Sequence, residues 1–310
     1  MKKTVHCSPR PRYAKQGGLF TVHNQRGSVL LITLLIITIL TSLTVEFAYD
    51  VYISTSALSN WANAQRASLI AKSGQTLSSK NLMSVQKHPY TYATEVNLPI
   101  EEKFGPDTNL TVNIEDENSK FNINSIIFPN GLTNENALSS LKKLFEYLNI
   151  NPSLALTIAD WIDPDREPRL RDSEYRAKNS ELWSVDELKL INGIDKKTFE
   201  TIRPFITVYG EDKKININTA KLPVLISLHK DMTETVAKRI IDYRESMPFE
   251  DEAQIVRVSG LETIGPLLLG RITVKSSYFR VTSTAIVNEI TRSIESVLDT
   301  SMKVLYWREG

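Results

Sequence analysis

Seventeen residues from Val29 to Val45 carry no charge, and Thr and Ser are their only polar members. Wound as a helix at ~1.5 Å per residue, this run reaches roughly 26 Å, close to the ~30 Å hydrocarbon core of a bilayer, so 28–46 is predicted to be a transmembrane helix. The pattern then changes without breaking. From Ala48 to Lys87 there is no proline and one glycine, Gly74, and Ala57, Ala64, Ala67 and Ala71 keep one stripe small enough for close helix approach. A stem helix is therefore expected over 47–89, stopped by Pro89. Helical from 28 to 87, the segment makes a rod of roughly 90 Å.

Beyond the stem the periodicity drops to two. Leu110 to Ile114, Tyr278 to Ile290, Arg292 to Asp299 and Lys303 to Trp307 alternate as strands, with Val287, Asn288 and Glu289 as a turn, and predict an antiparallel sheet packed on the upper stem. Between the early and late strands the chain repeats itself. Phe121 to Ser125 and Ile215 to Thr219 share an alternation of apolar residues with Asn that ends in a hydroxyl, each read as a short strand followed by helices, with Thr219 as a helix cap. Asp186 to Ile194 and Ala253 to Leu261 echo each other 67 residues apart, and each leads to Ile-Thr-Val, at 206–208 and 272–274. Two small helical modules, each followed by a strand, are expected as an insertion in the sheet.

Charge changes the picture at the N-terminus. The 310 residues hold 37 Lys+Arg against 36 Asp+Glu and one cysteine, which excludes a disordered chain and a disulfide scaffold. Residues 1–27 contain Lys2, Lys3, Arg10, Arg12, Lys15 and Arg26 and no acid, and the first carboxylate is Glu46. A secretory signal, an uncleaved signal anchor and a leader cut before the apolar run all remain open from hydropathy, although Thr44 to Ala48 makes a poor signal-peptidase site. Without 1–27 and its six basic residues, 31 basic residues face 36 acidic ones, a net charge of −5 over 283 residues. Cys7, His6 and His23 also belong to that leader, which leaves His88 and His229 isolated and removes thiol catalysis and cysteine-based zinc sites from the remainder.

The chemically suggestive stretch runs from Ala159 to Tyr175. Six carboxylates (Asp160, Asp163, Asp165, Glu167, Asp172 and Glu174) fall within 15 residues on a loop broken by Pro164 and Pro168, after a helix expected over 153–162. A hard cation takes six to eight oxygens, and Asp163 and Asp165 are spaced as in calcium loops; salt bridges to Arg166, Arg169, Arg171 and Arg176 are the competing use. Asp160 and Trp161 read as helix end and core. The two modules resemble helix-hairpin-helix or SAM-like units, and the second is similar to competence-type DNA receptors. A phosphate-gripping hairpin uses Gly-x-Gly, however, and Asp195 and Glu262 stand at the second glycine. Residues 181–275 hold 14 basic and 15 acidic residues, so no cationic footprint for nucleic acid is present.

Gly27 before the apolar helix resembles the leader of type IV pilins and type II secretion pseudopilins. Together with Phe121 to Asn124, Asp160 to Asp165, Asp172 to Tyr175, Ile215 to Thr219 and Tyr278 to Glu289, it identifies the chain as similar to the minor pseudopilin K family of type II secretion, from about residue 24 to 307. The resemblance implies an α+β, pilin-like fold, with the membrane and stem helix packed on an antiparallel sheet and a large inserted α-domain of two modules. The corresponding division is a cleaved leader (1–27), transmembrane helix (28–46), stem (47–89), first strands of the body (90–127), modules at 128–214 and 215–270, and final strands (271–310). It further implies cleavage after Gly27 and N-methylation at Ser28 by the prepilin peptidase. Calcium is implied near the Asp-rich loop, with Asp163, Asp165, Asp172 and Glu174 as candidate ligands. The implied partners are the minor pseudopilins I and J and the inner-membrane assembly platform, and the implied setting is a single-pass bacterial inner-membrane protein with a periplasmic body. Its role would be to nucleate and cap the pseudopilus that exports folded proteins, without enzymatic activity. Position +5 after the cut is Ile32, where most pilins have Glu; the K members share this lack, which suits a subunit with nothing above it. A type IV minor pilin, a membrane-anchored DNA receptor and a tethered hydrolase using the Asp-rich loop are the alternatives.

Overall fold

A computed structural model describes residues 26–85, 87–92, 95–100 and 107–310. The leader expected at 1–27, with its cationic residues up to Lys15 and Cys7, lies outside the described residues but for its last two positions. The first element is one helix, α1 (Arg26–Val85). Two units make up the chain, divided after Ser59.

In the first unit the apolar side chains are exposed, from Val29 at 58% to Leu58 at 65%. The helix is long and apolar enough here to cross a membrane, and none of its apolar stretch is buried. Threonine is a poor helix former, yet four sit in this run. The Thr33, Thr38, Thr41 and Thr44 hydroxyls donate to the carbonyls of Leu30, Leu35, Ile37 and Leu40, at 2.9, 2.8, 2.7 and 2.7 Å. Each hydroxyl is thus satisfied inside the helix, as a hydrocarbon surround requires.

In the second unit α1 packs on a five-stranded antiparallel sheet of order β1 (Glu95–Ile100), β2 (Thr108–Asp116), β7 (Tyr278–Val287), β8 (Ile290–Asp299) and β9 (Val304–Glu309). Alternate residues bury Leu110, Val112, Ile114, Phe279, Val281, Ala285, Val287, Ile294 and Leu298 against Ala67, Ile70, Ala71 and Leu82. Of the predicted small stripe, Ala67 and Ala71 have no exposed surface, whereas Ala57 is exposed. Gly74 carries the closest approach, because a Cβ there would stand 2.1 Å from Ser283 Oγ. Beside it Gln75 Nε2 donates to the Val281 and Ile294 carbonyls at 3.1 and 3.0 Å and its Oε1 accepts from Ser296 Oγ at 2.6 Å, tying helix to sheet. The β7–β8 turn is Asn288 and Glu289 alone, with φ of 45° and 71°; Val287, expected in the turn, is the last buried strand residue. That two-residue, positive-φ connection matches the twist of the flanking strands.

The insertion leaves the sheet at Asp116 and returns at Tyr278. Its first half contains β3 (Phe121–Asn122), α2 (Glu135–Tyr147), α3 (Leu154–Ile162), α4 (Lys196–Ile202) and β4 (Ile206–Thr207). Its second half contains β5 (Ile215–Asn216), α5 (Leu222–Ser227), α6 (Glu234–Ser246), α7 (Gly265–Leu268) and β6 (Ile272–Thr273). In each half the short strands pair in parallel, β3 with β4 and β5 with β6. This corrects two expected boundaries: Phe121 lies outside the body sheet, and Ile272 closes the second module, because each pair shuts its own module. The echoed segments form matching 3-10 turns, Val185–Leu190 and Glu252–Arg257. One hydrophobic core, from Phe121 to Val274, runs through both halves.

The repeated Asn alternation is only half strand. Asn122 Oδ1 accepts from Asn124 N, and Asn216 Oδ1 from Asn218 N, so the chain turns after two residues. Asn124 then exchanges two hydrogen bonds with the Leu182 backbone, both 2.9 Å, and Asn218 does the same with Phe249, at 2.8 and 2.9 Å. Each Asn amide stands in for a strand partner, which is why the pattern demands Asn. Thr219 does not cap α5, whose cap position is Lys221; its hydroxyl donates instead to Asp116.

Candidate functional site

Gly27 and Ser28 lie in the first turn of α1, where Gly27 is exposed, and Ile32 is 57% exposed. The Asp-rich loop is organised from the end of α3. Asp160 and Asp163, three residues apart, share one face of that helix, and both carboxylates have no exposed surface. Asp163 N donates to Ala159 O at 2.9 Å, and Pro164 then prevents a further turn.

The loop folds back over these two carboxylates. Arg169 N donates to Asp160 Oδ2 at 2.8 Å, and Arg169 Nη1 contacts Asp160 Oδ1 at 2.5 Å and also Asp163 Oδ2. Ser173 Oγ also reaches Asp160 Oδ2. Glu174 completes the group, so that one oxygen each from Asp160, Asp163 and Glu174 lies within 4.8 Å of the others. Burial pushes the Asp163 carboxyl up against the opposing hydrogen bond and charge of Arg169; burial, then Asp163, Asp160 and Asp165, pushes Glu174 up.

Of the expected ligands, then, the structure brings together Asp163 and Glu174. Asp165 uses Oδ1 to accept from Glu167 N at 2.8 Å. Asp172 has a side chain 76% exposed beside Arg171. Asp160, read from sequence as a helix end, joins the group instead, and its three-residue spacing from Asp163 was the signal. Asp163 Oδ1, Glu174 Oε1 and Asn179 Oδ1 are buried with no hydrogen-bond partner. Three carboxylates against one guanidinium, with orphaned oxygens, is the donor set a hard divalent cation takes.

A second buried charge group sits where the insertion joins the sheet. Asp116 Oδ2 accepts from Thr219 and Ser276 hydroxyls, both at 2.5 Å, and Oδ1 from Asn118 N at 2.8 Å. Its neighbour Glu117 accepts from Lys120 Nζ at 2.9 Å and Arg280 Nε at 2.6 Å, and from the Thr207 hydroxyl. Asp116 thus binds the second module and Glu117 the first. Burial pushes the Asp116 carboxyl up to about 6. Burial also acts to raise Glu117, but the Lys120 and Arg280 charges outweigh it and hold that carboxyl at about 2.

The two hairpins that resemble phosphate binders each carry a carboxylate bonded to nearby backbone N–H. Gly193 and Gly260 carry the left-handed φ of 89° and 94° that the turn requires. Glu262 accepts from Gly260 N at 3.0 Å, and Asp195 caps α4 by accepting from Thr198 N at 2.7 Å. A phosphate would meet carboxylates there.

Two family models, both described as type II secretion system protein K, match residues 119–211 and 215–275. Type II secretion system protein K of Aeromonas hydrophila is 25% identical over 306 residues, 88% of this chain and 92% of that protein. That of Pectobacterium carotovorum is 25% identical over 266 residues, 76% and 80% of the two chains. The match to the Pseudomonas aeruginosa protein K, 26% identical, spans 46% of each chain. Among solved structures, a chain of the GspK-GspI-GspJ complex from enterotoxigenic Escherichia coli superposes with a TM-score of 0.66 at 21% identity, covering 83% of this chain and 99% of that one.

Proposed function

This chain belongs to the type II secretion system protein K family, and from that premise we propose that it is the minor pseudopilin that nucleates and caps the tip of the periplasmic pseudopilus. The observation that carries the reading is the interruption of a helix-on-sheet body, between β2 and β7, by the domain over which both family models match. A domain of that bulk above the sheet leaves no room for a further subunit. It also makes the body a terminus of an assembly, a role that needs no catalytic group.

The partners in this reading are the minor pseudopilins I and J. On α1, Trp61 and Leu69 are 62% and 64% exposed on the side away from the buried Ala67 and Ala71, as a helix awaiting helical neighbours would be. The prepilin peptidase cuts after Gly27 and methylates Ser28, and the assembly platform receives the helix in the inner membrane, with the body in the periplasm. Calcium binds at Asp163 and Glu174, with Asp160 as an additional ligand; when bound it supplies positive charge to three carboxylates that otherwise face one guanidinium. Nucleic acid has no place in the scheme, because Glu262 takes the Gly260 N–H of one hairpin and Asp195 caps the helix that follows the other. Two measurements test it. Deleting the gene should abolish export of type II substrates, with rescue by the wild-type chain but not by one blocked at Gly27. Intact mass of the membrane-purified protein should begin at a methylated Ser28; a mass that retains residues 1–27 contradicts the reading.

A further inference from the structure

Arg169 occupies the position in the carboxylate group where an incoming cation would find its ligands. Its Nη1 lies on Asp160 and on Asp163 Oδ2, and its Nη2 donates to Thr133 Oγ1 at 2.8 Å. Asp163, with no exposed surface, still has Oδ1 unpartnered, as do Glu174 Oε1 and Asn179 Oδ1. One guanidinium therefore serves two of three carboxylates and leaves acceptors over. A divalent cation bound to the same oxygens would stand in contact with a guanidinium whose charge it repels. We propose that Arg169 is a built-in counter-ion and that a divalent cation enters the Asp160, Asp163 and Glu174 group by exchange with its side chain. The inference rests on the calcium reading above and adds its regulation.

The exchange has a structural consequence on the surface. Thr133 pairs with Ile127 across the turn that precedes α2, and Gly131 in that turn packs on Pro164, where an added Cβ would lie 2.7 Å from the ring. The turn carries Phe128 and Leu132, 47% and 65% exposed. Withdrawal of the guanidinium removes the hydrogen bond that links this turn to the loop. Cation occupancy is thereby transmitted to an exposed apolar turn, through a side chain that itself binds no metal. Arg169 is a positioning residue in this scheme.

The test uses the full chain in detergent, with calcium as the titrant and terbium luminescence sensitised by Trp161 as a second readout. Arg169→Gln removes the competitor and should tighten calcium binding by about tenfold, the scale of one charge-assisted hydrogen bond given up by the displaced group. Arg169→Lys keeps a charge and should stay near wild type. Thr133→Ala leaves the carboxylates untouched, removes only the anchor, and should tighten binding by a smaller factor, so the proposal stands even if Arg169→Gln fails to fold without cation. Hydrogen exchange of residues 128–134 should accelerate when calcium is added to the wild-type chain. Weaker or unchanged binding in Arg169→Gln or, should that variant not fold, in Thr133→Ala, with calcium bound by the wild type, overturns the exchange while leaving the site. No calcium binding by the wild type overturns the site and the exchange together.

Discussion

The junction carboxylates give a pH dependence whose sign can be worked out. Asp116 is held at about 6 against an ordinary 3.8, so ionising it inside the fold costs about 3 kcal/mol. Because its folded value is raised, its stabilising contribution is complete below pH ~4 and is lost as pH rises through 6. Glu117 runs the other way. Held at about 2 against 4.5, it contributes about 3 kcal/mol above pH ~4.5 and loses it as pH falls toward 2. Together they favour an optimum near pH 4–5 and a decline toward neutrality. Asp116→Asn removes the declining arm, while its new amide can still accept from Asn118 N and can donate to the Ser276 and Thr219 hydroxyls. Urea unfolding of the full chain and the variant, followed by tryptophan fluorescence at intervals between pH 4.5 and 7.5, gives the difference in which other titrating groups cancel. Relative to wild type, the Asp116→Asn variant should gain about 2 kcal/mol as pH rises from 4.5 to 7.5, on top of a constant offset from its altered hydrogen bonds. A difference that does not change with pH would refute the assignment of a buried, reluctantly charged Asp116.

Three further outcomes follow from packing and hydrogen bonding. Gly74→Ala should cost about 1–3 kcal/mol by overpacking, and adding Ser283→Gly should recover most of it, since the Ser283 hydroxyl has no partner to lose; thermal melts of the two variants decide this. Asn218→Ala strands both Phe249 backbone groups and should cost about 2–4 kcal/mol, with Asn124→Ala matching it through Leu182, read by urea unfolding. Asp163→Ala should abolish calcium binding and lower the melting temperature in calcium to that measured in chelator.

The elements legible in the sequence are those whose pattern is local. The uncharged run from Val29, the period-two strands from Tyr278 to Asp299 and the echo that ends in Gly193 and Gly260 each report burial or backbone geometry within a dozen residues. What escaped was set by distant partners. The five-residue alternation at Phe121 has the period of a strand, but Asn124 is 3% exposed and bonded to Leu182, 58 residues away. The parallel β3–β4 and β5–β6 pairs join segments separated by two or more helices, which no local period records. Nothing local to Asp116 and Glu117 marks them as buried, because the groups that hold them, Thr219, Ser276 and Arg280, are about 100 or more residues away in sequence. At the Asp-rich loop, composition announced an oxygen-rich site, but only the end of α3 decides that Asp160 turns inward and Asp172 outward.

The central claim is that this chain works as a subunit of a minor pseudopilin tip. Its most direct test is capture of the full-length chain, co-expressed with the minor pseudopilins I and J of the same host and solubilised in mild detergent, through a tag on the I subunit. A ternary complex that retains this chain through size exclusion, and loses it when Trp61 and Leu69 on α1 are changed to Glu, is the predicted result. Recovery of I and J together with this chain absent would contradict the account.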